Sequence, residues 1–209
     1  METRAEYHRQ LRDLAQQVIE VGRAVLDNIG RATDALVDHD LGLVDDVLAA
    51  DDRIDAFARR LEESAVLVLA RQAPVASELS YVVSLLRLAY ELERCGDLMV
   101  NVARAAHRLD GPIDERARGP LMELAQRCRE IFERALGVYA SGGDSDLDEA
   151  DDLVDDAQTR LLSALTDASV DHRTIIALTI AGRCYERVAD HAVNLAARSG
   201  LVVGAVLTP

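Results

Sequence analysis

Eight carboxylates recur along the chain in two matched sets. ERCGDLMVN begins at Glu93 and ERVADHAVN at Glu186; each carries Glu, then Arg, then Asp four positions after the Glu and Asn eight after it. Upstream, AADDRIDA (49–56) answers to EADDLVDD (149–156), which gives Asp51 and Asp55 in one copy and Asp151 and Asp155 in the other. On a helix, residues four apart stand one above the other. Glu93, Asp97 and Asn101 therefore form one oxygen-bearing stripe, and Glu186, Asp190 and Asn194 another. Stacking like charges costs about 0.2–0.5 kcal/mol per exposed pair, and Asp is a poor mid-helix residue. Arg94 and Arg187, each three before the Asp, and Arg59, four after Asp55, relieve part of the repulsion. A bound cation is the natural completion. Oxygen-only ligand sets favour hard or intermediate divalent or trivalent ions, Mg²⁺, Mn²⁺, Ca²⁺ or iron, with Zn²⁺ still among the candidates. His191 borders the second stripe and could add a nitrogen; its other reading is a surface histidine.

Six helical segments have to position these acids, spanning roughly 4–37, 41–70, 76–108, 114–140, 146–168 and 172–199. Turn chemistry separates them: HDLG at 39–42, APVASEL at 73–79, LDGPID at 109–114, SGGDSD at 141–146 and SVDHR at 169–173. Ser145 and Asp171 are the expected caps of the last two helices. Gly111-Pro112 is the strongest break, and it divides the chain into expected repeats 1–110 and 111–209. Apolar residues follow a 3-4 spacing. The second segment gives Val47, Ala50, Ile54, Phe57, Leu61 and Val68, interrupted at Ser64; the third gives Leu85, Leu88, Leu92, Cys95, Met99, Val102 and Ala106. The fifth gives Leu147, Ala150, Val154, Ala157, Leu161, Ala164 and Ala168, and the sixth gives Leu178, Ala181, Tyr185, Val188, Ala192 and Leu195. These are seams of antiparallel helices. The expected fold is all-α: two tandem antiparallel three-helix bundles, the second a duplicate of the first. Each acid follows a seam residue by one or two positions, so the stripes flank the seams and run round to the outside of the bundles.

The duplicated three-helix unit and its two ER-x-x-D-x-x-x-N helices resemble the PhoU family of phosphate-signalling regulators, over the whole chain to about residue 199. In that family, E(D)xxxD motifs on tandem three-helix bundles bind metal clusters at the surface. The resemblance carries this role to Glu93, Asp97, Glu186 and Asp190, and with them to Asp51, Asp55, Asp151 and Asp155. YERVADHAVNLA is the closer match; Leu98 stands where the family often has histidine, so a cluster on the first copy is expected to be weaker or differently ligated. The resemblance further implies a cytoplasmic, homodimeric protein that is not an enzyme. It would connect the phosphate ABC transporter to a sensor histidine kinase at the membrane's cytoplasmic face, and hold the kinase off when phosphate is plentiful.

Composition narrows the alternatives. A net charge of −14 repels phosphate backbones and gains nothing from anionic lipid, so nucleic acid is not an expected partner. The charged start METRAEYHRQLRDL has no signal pattern, and no apolar run nears the ~20 residues of a membrane span. Cys95, Cys128 and Cys184 stand singly in helical patterns, as small core residues of a reducing compartment do. No P-loop, GxGxxG or GxSxG is present, and with no Trp and two Phe there is no stacking platform. A ferritin-like di-iron enzyme would need inward Glu-x-x-His motifs, and none of the five histidines has Glu three residues before it. A metal-free helical adaptor fits the same pattern and stays open. The apolar tail GLVVGAVLTP after Ser199 is expected to pack on the bundle or to be loosely ordered.

Overall fold

The computed structural model describes residues 4–143, 146–166 and 170–206, with only the helical path given for 200–206. Every regular element among them is a helix: α1 (Arg4–Val37), α2 (Leu41–Gln72), α3 (Ala76–Ala105) with a 3₁₀ turn at Ala106–Arg108, α4 (Glu115–Ser141), α5 (Asp148–Leu165) and α6 (His172–Val206). Side-chain caps fix several starts. Asp40 accepts from the amides of Gly42 (2.9 Å) and Leu43 (3.3 Å) at α2, and Asp114 from that of Arg116 (2.8 Å) at α4. Asp171, the expected cap of α6, accepts from the amides of Arg173 (2.9 Å) and Thr174 (3.0 Å) and from the Thr174 hydroxyl (2.5 Å). These bonds satisfy donors that have no partner within a helix. They also hold the Asp171 carboxyl below the usual range, led by the Thr174 hydroxyl. The expected cap Ser145 and the seam position Ala168 lie outside the described residues. So do residues 207–209 and the side chains of the rest of the tail, although α6 itself continues past Gly200 to Val206.

The six helices form two antiparallel three-helix repeats, α1–α3 and α4–α6. α2 and α5 are the outer helices; α3 and α6 pack on each other at the centre, and α1 packs against α4. One apolar core runs through both repeats. It holds Leu85, Leu88, Leu92 and Met99 from α3, Tyr185, Val188 and Leu195 from α6, and Ile131 and Phe132 from α4. All three cysteines are buried and free in it. Hydrogen bonds tie some of its polar groups across the helices, while the hydroxyls of Tyr7 and Tyr139 are buried without a hydrogen-bond partner. Tyr81 donates its hydroxyl hydrogen to the Leu11 carbonyl at 3.1 Å, and Thr33 and Tyr185 share a hydroxyl–hydroxyl bond of 2.7 Å between α1 and α6.

The seams of α3 and α6 follow the expected positions throughout, while the outer helices slip by one residue near their ends. Ala65, not Ser64, is buried after Leu61 in α2, and in α5 Leu165 is buried where Ala164 was expected. The reason is the mismatch between a strict 3.5-residue repeat and the 3.6 residues of a helical turn: after a few turns the core-facing position drifts until one step of four replaces a step of three.

Candidate ion-binding faces

The α2–α3 hairpin turns at residues 73–75, and both arms rise equally per residue. Asp55 therefore stands level with Glu93, and Asp51 with Asp97, across one inter-helix groove. Gly96 lets them come close. A Cβ at this position would collide with Asp51 Oδ1, so the missing side chain is what allows Asp51 to settle against α3. Burial there, followed by the charges of Asp55 and Asp97, pushes the Asp51 carboxyl up to about 7. Burial, then Asp97, likewise raises Glu93. Counter-charge is present but shared. Arg94 lies over the Tyr90 ring at 5.2 Å, with Nη1 3.2 Å from Asp97 Oδ2 and Nε 3.6 Å from Glu93 Oε2; Arg59 stands 3.8 Å from Asp55.

The second repeat reproduces the arrangement in a more open form. Asp151 is raised by burial and then by Asp190, and Glu186 by burial and by Asp190 and Asp155, with Arg183 opposing at 3.4 Å. Asp155 and Asp190 are exposed. Ala189 occupies the place that Gly96 holds in the first repeat, and its methyl group is buried. Asp151 has less room to sink than Asp51, and its shift is correspondingly smaller.

All eight acids expected from sequence thus fall into two quartets, each bridging an outer and a central helix. Their oxygens suit a hard cation in kind, and three of them (Asp51 Oδ1, Asp55 Oδ1 and Glu186 Oε2) are buried without a hydrogen-bond partner. In their present rotamers, no three acidic, histidine or cysteine side chains among the described residues are arranged to enclose an ion. Holding one would require the carboxylates of a quartet to turn toward a common point. Asn101 and Asn194 are exposed at the ends of the stripes.

His191 does not join the second quartet. Its Nδ1 lies 2.6 Å from Glu91 Oε2 on α3, and Arg198 Nη1 lies 3.2 Å from the other oxygen, Oε1. Glu91 is only 4% exposed, so a buried carboxylate on one repeat is held by a histidine ring and an arginine from the other. Sequence reading passed over Glu91, although a signal existed. Ser84, Leu88, Glu91, Cys95, Leu98 and Val102 form a second 3-4 row on α3, all buried, in which Glu91 is the one charged member.

Comparison with known proteins places this geometry. The pattern of the PhoU domain matches residues 18–106 and 121–199, one match per repeat. The Mycobacterium tuberculosis phosphate-specific transport system accessory protein PhoU homolog 2 is 34% identical over 202 residues, covering 93% of this chain and 95% of the relative. The Pseudomonas aeruginosa PhoU homolog is 32% identical over 203 residues, covering 91% and 82%. The crystal structure of PhoU from Pseudomonas aeruginosa superposes with a TM-score of 0.83 over 95% of this chain and 99% of that one, at 27% identity. That of the PhoU regulatory protein from Streptococcus pneumoniae gives 0.82 over 97% and 100% at 21% identity, a likeness of fold alone. With both repeats matched and relatives of this identity aligned nearly end to end, the chain belongs to the PhoU family.

Proposed function

We propose that this chain is a cytoplasmic, non-enzymatic regulator of phosphate uptake. It works by contact with the phosphate ABC transporter and a sensor histidine kinase, restraining the starvation response while phosphate is plentiful. The observation that carries the reading is the end-to-end match to relatives named as phosphate-specific transport accessory proteins. No helix among the described residues is long and apolar enough to cross a membrane, so contact with a transporter would be made from the surface. The reading takes 1–110 and 111–209 as the two repeats of one working unit and a homodimer as the assembly. Deleting the protein is expected to raise a phosphate-starvation reporter in high phosphate. A reporter that stays low in the deletion strain, with any second copy of the gene also removed, rejects the regulatory role.

We further propose that the two quartets bind metal ions. Asp51, Asp55, Glu93 and Asp97 would hold one set, and Asp151, Asp155, Glu186 and Asp190 the other. An ion would supply the positive charge that the crowded carboxylates lack and tie an outer helix to a central one. The support is the raised carboxyls and the buried oxygens of Asp51 and Asp55 that lack a hydrogen-bond partner. A ligand at about 100 times its Kd adds about 2.7 kcal/mol to the folded state, which for a chain of this size is a rise of roughly 5–10 °C in Tm. After chelation, Mg²⁺ or Mn²⁺ is expected to produce such a rise in the wild type and a smaller one in Glu186→Gln/Asp190→Asn, where only the first quartet remains whole. Equal shifts in the two proteins would remove the second quartet from consideration. A metal-free adaptor is the second reading, favoured by the lack of three converging ligands among the described residues in their present rotamers; it expects no shift in either protein.

A further inference from the structure

The two repeats differ beside their quartets. On α3, Leu79, Val83, Leu86 and Tyr90 lie on the same helical stripe as Glu93 and Asp97, continuing it toward the hairpin tip. Leu79 is 41% exposed, Val83 36% and Tyr90 50%. Across the groove, the Asp51–Asp55 stripe of α2 continues through Glu62 to exposed Val66 and half-buried Leu69. The corresponding stripe on α6 carries His172, Ile176, Thr179 and Arg183, of which only Ile176 is apolar. The arms differ in length too. Helix α2 runs from Asp55 to Gln72, about 25 Å, whereas α5 runs from Asp155 to Leu165, about 15 Å. The inner side of the long arm is occupied by α1, through the Tyr81–Leu11 hydrogen bond and Glu78, whose Oε1 is 3.6 Å from His8 Nε2. Its outer side carries the apolar row.

We propose that this outer α2–α3 face of the first repeat is a docking groove for a cationic amphipathic helix of a partner protein. From Leu79 to Asp97 the stripe spans about 27 Å, roughly five helical turns. An occupant helix would lay aliphatic side chains along Val66, Leu79, Val83 and Leu86 and, in the protein without bound ions, place arginines or lysines over Asp51, Asp55, Glu93 and Asp97. Charge decides the occupant. The groove ends in four carboxylates on a chain of net charge −14, so a second copy would bring like charge to it, while a basic segment would bring the opposite charge. Tyr90 and Arg94 mark the crossover from apolar to acidic, a side-chain pair able to meet either part of such a helix. The inference rests on the reading above, that the chain acts by contact with other proteins.

The test uses the full chain, kept in chelator so that no ion occupies the first quartet, and three synthetic 20-residue helices studied by titration calorimetry. One has a leucine-rich face with four arginines at one end. The second replaces those arginines by glutamate. The third scrambles the first so that its apolar face is lost. The cationic amphipathic peptide is expected to bind the wild type, more weakly as salt rises. It should bind Val83→Asp and Leu79→Ser about tenfold or more weakly, and Ile176→Asp, on the twin face, within about twofold. Both groove substitutions are at exposed positions, and their melting curves check that the fold is kept. The proposal is overturned if the scrambled peptide binds as well, if Ile176→Asp weakens binding as much as Val83→Asp, or if no peptide binds the wild type. It is also overturned if the wild type sediments as a dimer that Val83→Asp dissociates and the peptide does not, which would make a second copy the occupant. An unchanged starvation reporter on deletion would reject the regulatory reading and leave these binding results standing; the converse also holds.

Discussion

Removing both partners of Glu91, in His191→Phe/Arg198→Met, is expected to destabilise the protein by about 3–5 kcal/mol, lowering Tm by roughly 10 °C. Glu91 is buried at the α3–α6 contact, with His191 Nδ1 at 2.6 Å and Arg198 Nη1 at 3.2 Å from its two oxygens. Arg198 also donates to the Asn194 carbonyl at 2.9 Å, which fixes its reach toward α3. Both substitutions leave an uncharged, apolar side chain in place of each partner, and a triple variant with Glu91→Leu separates the stranded charge from any change in packing. An uncompensated carboxylate in a poorly solvated site is far more costly than a neutral group there. The added change Glu91→Leu should therefore restore at least half of the lost stability, because an apolar triple leaves no charge to strand. Urea midpoints of the wild type, double and triple variants decide the matter. A triple variant no more stable than the double would mean that the loss came from packing and that the ion pair does little to join the repeats.

Asp51→Asn is expected to stabilise the metal-free protein at pH 8 and to have little effect at pH 4. The carboxyl titrates near 3.8 when unperturbed and near 7 in the fold, held up by burial over Gly96 and by Asp55 and Asp97. Between those values the folded chain keeps a proton that the unfolded chain has lost, so stability falls as pH rises from about 4 to about 7, and the whole penalty stands above 7. At 1.36 kcal/mol per pH unit the shift corresponds to about 4 kcal/mol. Partial solvent access to Asp51 reduces the expected gain to about 1–2 kcal/mol. Asparagine has the same shape without the charge. At pH 4 the wild-type carboxyl is itself neutral in the fold, and the two proteins converge. Gly96→Ala, whose methyl group would push the carboxylate outward, should recover part of the same gain. Urea midpoints at pH 4, 6 and 8 in the presence of chelator give the comparison. An Asn variant less stable at pH 8, or equally favoured at all three values, would show that Asp51 is not under charge strain. With an ion bound, the order is expected to reverse, since the charge then has a partner.

Much of this molecule is written locally. The 3-4 spacing of Leu85, Leu88, Leu92, Cys95, Met99 and Val102 defines one buried side of α3 without reference to any other helix, because helical geometry alone brings those residues to one face. Asp171 marks the start of α6 for an equally local reason: its carboxylate reaches amides two and three residues on. The duplication, and the pairing of Asp51 and Asp55 with Glu93 and Asp97, also follow from sequence, since a short hairpin forces antiparallel arms into one register. Other features needed the assembled chain. The slip from Ser64 to Ala65 depends on how far the 3.6-residue turn drifts before the neighbouring helix runs out. That Asp51 is pushed to about 7 while its counterpart Asp151 is shifted less depends on the missing side chain of Gly96 on a different helix. His191 read as a neighbour of Asp190, and its ring instead reaches Glu91, 100 residues away. Periodicity states which side of a helix is apolar; it does not state which helix will cover that side. A buried charge acquires its meaning from the partner that arrives there, and only the packing of α3 against α6 brings that partner.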